Sequence, residues 1–288
     1  MSENLGADCI RSMVSLTFIF MTNRKYFNNK IIWITGASSG IGEELAKVLS
    51  QWNTRLILSS RRKEELERVK LSLGLNPEHV YILPLDLAEP DSLPEKAVEA
   101  LDVFSRIDIL INNGGVSQRS LVMETSILTD RKIMEINYFS GVILTKTLMP
   151  SMVSAGHGHI VSVSSVTGRF GFPLRSAYAA SKHAMYGFYE SLGAEYFDQG
   201  IRTTMVCPGR IRTNISMGAL GPDGKPQNIM DHGQEYGTPV RKCAMDIING
   251  IRKDKREIYT GGKEVLMVYF KRFWPWLSYF LARKAERV

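Results

Sequence analysis

Short apolar runs alternate along the chain with segments whose apolar positions recur at helical spacing. Lys30 to Ile34, Arg55 to Leu58, Val80 to Leu83, Ile107 to Ile111, Ile160 to Val163 and Thr203 to Cys207 read as strands. Between them, Ile41 to Trp52, Arg62 to Leu73, Asp91 to Phe104, Thr129 to Val153 and Ser176 to Phe197 read as helices. Strands that are apolar throughout, rather than on alternate positions, are covered on both faces. Strand–helix alternation with right-handed crossovers then predicts an α/β chain, a doubly wound parallel sheet with helices on both faces in a single domain. Residues 209–237 break the rhythm with Gly218, Gly221, Pro222, Gly224, Pro226 and Gly233. An irregular segment of that length after the sixth strand predicts a substrate lid.

Composition narrows the function classes. Hydrophobic residues at 44% and charged residues at 23% of 288 fit a globular chain with a substantial core. Cys9, Cys207 and Cys243 are far apart and unpaired in sequence. They indicate neither a disulfide framework nor a zinc site, and a reducing compartment is expected. The net charge of +7 is concentrated at the end: residues 251–288 carry ten Lys and Arg against four acids. The body of the chain is nearly neutral, which argues against a nucleic-acid-binding face. The apolar run Met13 to Met21 is about half of what a membrane helix needs, so residues 1–27 read as a leader or packing segment. The expected location is cytoplasmic, with peripheral contact at a membrane surface as an extension of that reading.

Three signals carry chemistry. Thr35-Gly36-Ala37-Ser38-Ser39-Gly40-Ile41-Gly42 follows the first strand and opens the first helix. Its glycines let the backbone approach a pyrophosphate, and the helix N-terminus favours that anion. At the end of the second strand, where NAD enzymes place an acid, stand Ser59-Ser60-Arg61-Arg62-Lys63. A guanidinium suits a 2′-phosphate, so NADP(H) is expected, with Arg61 as the first ligand and Arg62 as the second. Tyr178 and Lys182 lie one helical turn apart, and Ser164-Ser165 ends the fifth strand. An ammonium beside a phenol favours the phenolate and brings its pKa toward the working range. His157 and His159 lack a Cys or acidic partner nearby, so no metal site is expected.

Together, Thr35-Gly36 to Gly42, Asn112-Asn113-Gly114-Gly115, Ser165, Tyr178 and Lys182 resemble the short-chain dehydrogenase/reductase family over roughly residues 28 to 260. The stretch Asn112 to Leu121 is similar to the branch of that family called dehydrogenase/reductase member 7. The resemblance implies a Rossmann-type fold and explains the wide glycine spacing. It implies that Ser38, Ser39 and Ile41 join the glycines in holding the cofactor. It places Asp86 and Leu87 at the adenine, Asn112 and Gly114 under the adenosine ribose, and Pro208, Gly209, Ile211 and Thr213 at the nicotinamide carboxamide. Ala is the usual family residue at position 114, and Gly114 widens the site. Lys182 would also bond the nicotinamide ribose. Asn137 matches a helix residue that supports a water beside the lysine, although a buried polar residue bending its helix is the reading from the residues alone.

The implied reaction moves a hydride between nicotinamide and a carbonyl or alcohol. Tyr178 is the general acid and Ser165 holds the substrate oxygen; Ser164 points to the opposite face. The expected substrate is a small hydrophobic carbonyl or alcohol: a steroid, retinoid or other lipid-like ketone. The competing readings are a 3-oxoacyl reductase of fatty-acid metabolism and a non-catalytic dinucleotide-sensing scaffold. A homodimer or homotetramer is expected. Residues 263–288 mix Phe273, Trp274, Trp276 and Phe280 with Lys271, Arg272, Arg283 and Lys284, and Pro275 forbids one straight helix. This tail either meets an anionic membrane surface or packs on protein.

Overall fold

A computed structural model describes residues 22–284; the apolar run Met13 to Met21, Cys9 and the last four residues lie outside them. Seven strands form one sheet: β1 (Ile31–Thr35), β2 (Arg55–Ser59), β3 (Val80–Ile82), β4 (Ile109–Asn112), β5 (Gly158–Val163), β6 (Ile201–Pro208) and β7 (Glu257–Thr260). Their order is β3-β2-β1-β4-β5-β6-β7, and every pairing is parallel.

Strand pleating divides the apolar runs between two cores. Ile32, Ile34, Leu56, Leu58, Ile109 and Ile111 face one side, against helices Gly40–Leu49, Lys63–Ser72 and Val240–Arg252. Ile31, Trp33, Ile57, Leu110, Ile160 and Met205 face the other, against Leu93–Phe104, Ser140–Ser154 and Ser176–Glu195. All five positions of β1 are buried, which is why its sequence shows no polar alternation. Each fully buried Ile or Leu contributes roughly 1.5–3 kcal/mol, so the two helical layers hold the sheet rather than its hydrogen bonds alone.

Three features depart from the sequence reading. The long helix expected over Thr129 to Val153 is interrupted: Ile127–Met134 passes through a π-helical turn, Glu135–Phe139, into Ser140–Ser154. Helix Val240–Arg252 and edge strand β7 follow the irregular segment and were not anticipated. The tail forms two helices, Leu266–Phe273 and Pro275–Lys284, separated at Trp274 as Pro275 requires. Chain order reverses between β1 and β4, so the crevice outside the C-terminal strand ends is where a ligand belongs.

Candidate active site

A cavity of about 800 Å³ opens at that edge and runs from the glycine loop to the irregular segment and the tail. The loop is built for close backbone contact. Gly36 has φ +65°, and a Cβ there would fall 2.7 Å from Gly114 Cα. A Cβ on Gly42 would fall 2.4 Å from the Gly36 carbonyl oxygen. Gly42 therefore stays behind the cavity wall, letting the first turn of its helix press against the loop, while Gly36, Ser38, Ser39, Gly40 and Ile41 line the cavity. The Asn113 amide donates to the Thr35 and Gly36 carbonyls at 2.9 and 3.2 Å, and Thr35 Oγ1 accepts from the Asn113 and Gly114 N–H groups. The ends of β1 and β4 are thus tied together beneath the loop. From outside, the Arg68 guanidinium donates to the Ser38 carbonyl at 3.2 Å and pairs with Glu43 at 3.0 Å.

Arg61 and Arg62 line the cavity beside the loop, and Arg62 reaches Ser38 Oγ at 3.4 Å. Asp86 and Leu87 line it too, with Asp86 Oδ1 accepting the Ala88 N–H at 3.0 Å. A Cβ at position 114 would lie 2.4 Å from Leu87 Cδ1, so Gly114 admits the Leu87 side chain rather than simply widening the site. Asn112 departs from its expected place. Its amide donates to Thr145 and Tyr189 in the core, at 3.2 and 3.1 Å, and Asn113, Gly114 and Gly115 face the cavity instead. The reason is alternation: Asn112 is still within β4, with its side chain on the helix-covered face.

The cavity continues past the C-terminal end of β5. Ser165, Tyr178 and Lys182 are buried together and line the cavity. Ser165 Oγ accepts from the Thr167 N–H and hydroxyl, at 3.2 and 3.0 Å, and reaches the Pro208 carbonyl at 3.5 Å. Ser164 instead donates to the Lys182 carbonyl at 3.0 Å, so the strand-end choice falls on Ser165. Burial raises the Tyr178 pKa, opposed by the Ser165 hydrogen bond and the nearby Arg175 charge. The expected pairing of Lys182 with the phenol is not a direct hydrogen bond. Lys182 Nζ donates to the Val163 carbonyl at 2.8 Å and lies 5.8 Å from the tyrosine ring centre; burial lowers its own pKa to about 8.

Asn137 occupies the π-helical turn, a local widening that recurs at functional positions. Its amide both donates to the Val116 carbonyl and accepts the Val116 N–H, at 3.0 and 2.8 Å, and donates to Ser181 Oγ at 3.0 Å. A Cβ on Gly115 would come 2.9 Å from Asn137 Oδ1 and 3.5 Å from Lys182 Nζ, so the three residues form one cluster in which Gly115 and Lys182 line the cavity and Asn137 stands behind them. Pro208 at the end of β6 and Gly209, Ile211 and Thr213 beyond it line the cavity, and Thr213 packs on Gly40.

The far end is apolar, with Val166, Phe170, Phe172, Ile215, Met217 and Leu220 in its wall. The irregular segment closes over it. Asp231 pairs with Arg119 and, at 2.7 Å, with Arg175. Leu220 bonds through its backbone to Ser117 and Arg119, both at 2.9 Å. The tail contributes as well: Glu264 accepts the Arg210 and Gly262 N–H groups at 2.6 and 2.9 Å, and Met267 lines the cavity. Sequence reading missed Arg68, Glu264 and Met267, because no local pattern announces a contact that forms only on folding. His159 is buried against Thr204 at 2.8 Å, its pKa pushed down to about 4 by burial, and His157 bonds Asp108 at 3.0 Å. Among the described residues no His, Cys, Asp and Glu group could hold a metal.

Comparison with known proteins shows the family. The family model for short chain dehydrogenase matches residues 30–220. The chain is 43% identical over 271 residues to the dehydrogenase/reductase SDR family protein 7-like of Drosophila melanogaster, covering 92% of this chain and 83% of that protein. It is 36% identical to the mouse (Mus musculus) dehydrogenase/reductase SDR family member 7B, over 92% and 84% of the two chains. A short-chain dehydrogenase from Streptomyces avermitilis superposes with a TM-score of 0.76 at 27% identity, covering 90% of this chain and all of that one. The matched segment holds the glycine loop, Ser165, Tyr178 and Lys182, and the chain belongs to the short-chain dehydrogenase/reductase family of oxidoreductases.

Proposed function

We propose that the protein is an NADP(H)-dependent oxidoreductase acting on a carbonyl or alcohol of a hydrophobic substrate. One observation carries this reading: Ser165, Tyr178 and Lys182 meet in one cavity with the glycine loop at one end and an apolar wall at the other. The glycine loop suits a pyrophosphate, since the backbone at Gly36 leaves room where a Cβ would otherwise project. Arg61 and Arg62 suit a 2′-phosphate because both stand at the β2 end of the cavity, and no acid takes that place. Pro208, Gly209, Ile211 and Thr213 would hold the nicotinamide end. A nicotinamide cofactor bound there supplies or accepts the hydride.

The chain's own groups handle the proton. Tyr178 is kept protonated by burial, so in the reductive direction it donates its phenolic proton to the substrate oxygen. Ser165 donates a hydrogen bond to that oxygen while negative charge develops on it. The phenolate left behind regains a proton from solvent, and Lys182, with Asn137 behind it, supplies positive charge beside that step. Val166, Phe170 and Met217 exclude water and favour an apolar ketone. Outside the cavity, Phe273, Trp276 and Tyr279 are exposed beside Lys271, Arg272, Arg283 and Lys284. That combination supports contact of the tail's outer face with an anionic membrane surface. The function is tested by following NADPH oxidation against steroid, retinoid, quinone and acyl ketones. Arg61→Asp should lower the NADPH/NADH ratio of kcat/KM by at least tenfold; an unchanged ratio rejects Arg61 as the phosphate ligand.

A further inference from the structure

Gln118 has no exposed surface and no place in the chemistry described above, yet it touches both the turn that bears Tyr178 and the segment over the substrate end. Its Oε1 accepts the backbone N–H of Tyr178 at 3.1 Å. Tyr178 is the third residue of helix Ser176–Glu195, so its N–H has no partner one turn back within the helix. The residue before that helix, Arg175, offers no side-chain cap. Gln118 Nε2 donates to Ser176 Oγ at 3.2 Å, in the same turn, and to Thr125 and Ser120 at 3.0 and 3.2 Å. Its backbone forms a parallel bridge with Leu220, flanked by the Leu220 bonds to Ser117 and Arg119. The side chain therefore holds the turn bearing the catalytic phenol, while its main chain holds the segment over the substrate end.

We infer that Gln118 is a positioning residue: it caps the catalytic helix at Tyr178 and couples the placement of that turn to the closed position of residues 209–237. The kinetic part rests on the proposed oxidoreductase reading; the structural part does not. Gln118→Met keeps the length and removes the acceptor. It should lower kcat at least tenfold, because the phenol must meet the substrate oxygen within hydrogen-bond reach. The KM for NADPH should stay within twofold, since the glycine loop and Arg61 belong to other elements. Gln118→Glu retains an acceptor for the Tyr178 N–H, and the Ser176 hydroxyl can turn to donate, so kcat should recover in part.

Amide hydrogen exchange supplies a readout without turnover. In Gln118→Met, peptides over 176–180 and 217–222 should exchange at least tenfold faster, with β1 and β4 peptides unchanged. Wild-type kcat in Gln118→Met, wild-type exchange in both peptides, or faster exchange throughout the sheet would each overturn the inference, the last by assigning Gln118 to general stability. If the wild-type protein reduces no ketone, the oxidoreductase reading fails, and the exchange experiment still decides whether Gln118 couples the two segments.

Discussion

Tyr178 and Lys182 sit one helical turn apart, and burial acts on them in opposite senses. It raises the phenol's pKa and lowers the ammonium's to about 8. Both shifts have one cause, the cost of desolvating charge, and at neutral pH they leave the phenol protonated and the lysine still mostly charged. Replacing Tyr178 by Phe removes only the proton donor, so turnover should fall by ~10²–10⁴ while cofactor affinity stays nearly intact. Steady-state rates with cofactor titrations check this, and activity within twofold of wild type would reject the assignment. Lys182 makes a thermodynamic prediction. At pH below about 8 both folded and unfolded chains carry its charge, and the folded chain bears the burial cost. As pH rises above about 8 the folded chain releases the proton, whereas the unfolded chain keeps it until near its ordinary value of 10.5. Stability should therefore rise with pH in that window. Between pH 7 and 9, urea unfolding should show wild type gaining about 1 kcal/mol relative to Lys182→Met. Parallel stability curves for the two proteins would contradict it.

At the scale of elements, the segment over the cavity is held by the Asp231 carboxylate, shared between Arg119 and Arg175. Asp231→Asn would leave two half-buried guanidiniums facing a neutral amide, weakening that attachment by ~1–3 kcal/mol. Limited proteolysis should then cut within residues 209–237 faster, and the KM for an apolar ketone should rise several-fold with little change in the KM for cofactor. Equal proteolysis rates would mean that the backbone bonds at Leu220 hold the segment alone. The elements that place Ser165, Tyr178 and Lys182 are legible because each has a local signature. Apolar strand runs marked β1 to β6, glycines marked the phosphate loop, and the four-residue spacing marked Tyr178 and Lys182. Helix Val240–Arg252 and β7 escaped because they follow the irregular segment, where the strand–helix rhythm that guides the reading is lost. The π-helical turn at Asn137 has no sequence signature apart from a polar residue in an apolar helix. Asn112 was misplaced because a one-residue difference in where β4 ends turns its side chain from cavity to core.

For the whole molecule, the tail presents two different faces. Glu264 and Met267 belong to the cavity wall, whereas Phe273, Trp276 and Tyr279 face outward. No helix among the described residues is long and apolar enough to cross a membrane. The full chain should sediment with anionic vesicles at low salt, with each surface Lys or Arg adding ~1 kcal/mol, and less at high salt. A chain ending after Gly262 should lose vesicle binding and also show a raised KM for the ketone, because part of the cavity wall goes with the tail. Vesicle binding that survives truncation would place the lipid contact elsewhere. The claim on which the rest depends is that this cavity transfers a hydride with Tyr178 as proton donor. The most direct measurement uses NADPH deuterated at the reactive nicotinamide carbon, with mass analysis of the product. Wild type should place deuterium on the carbinol carbon of a reduced apolar ketone, and Tyr178→Phe should leave the ketone almost unlabelled. No label with wild type across the steroid, retinoid, quinone and acyl ketones, or equal label with Tyr178→Phe, would contradict the account.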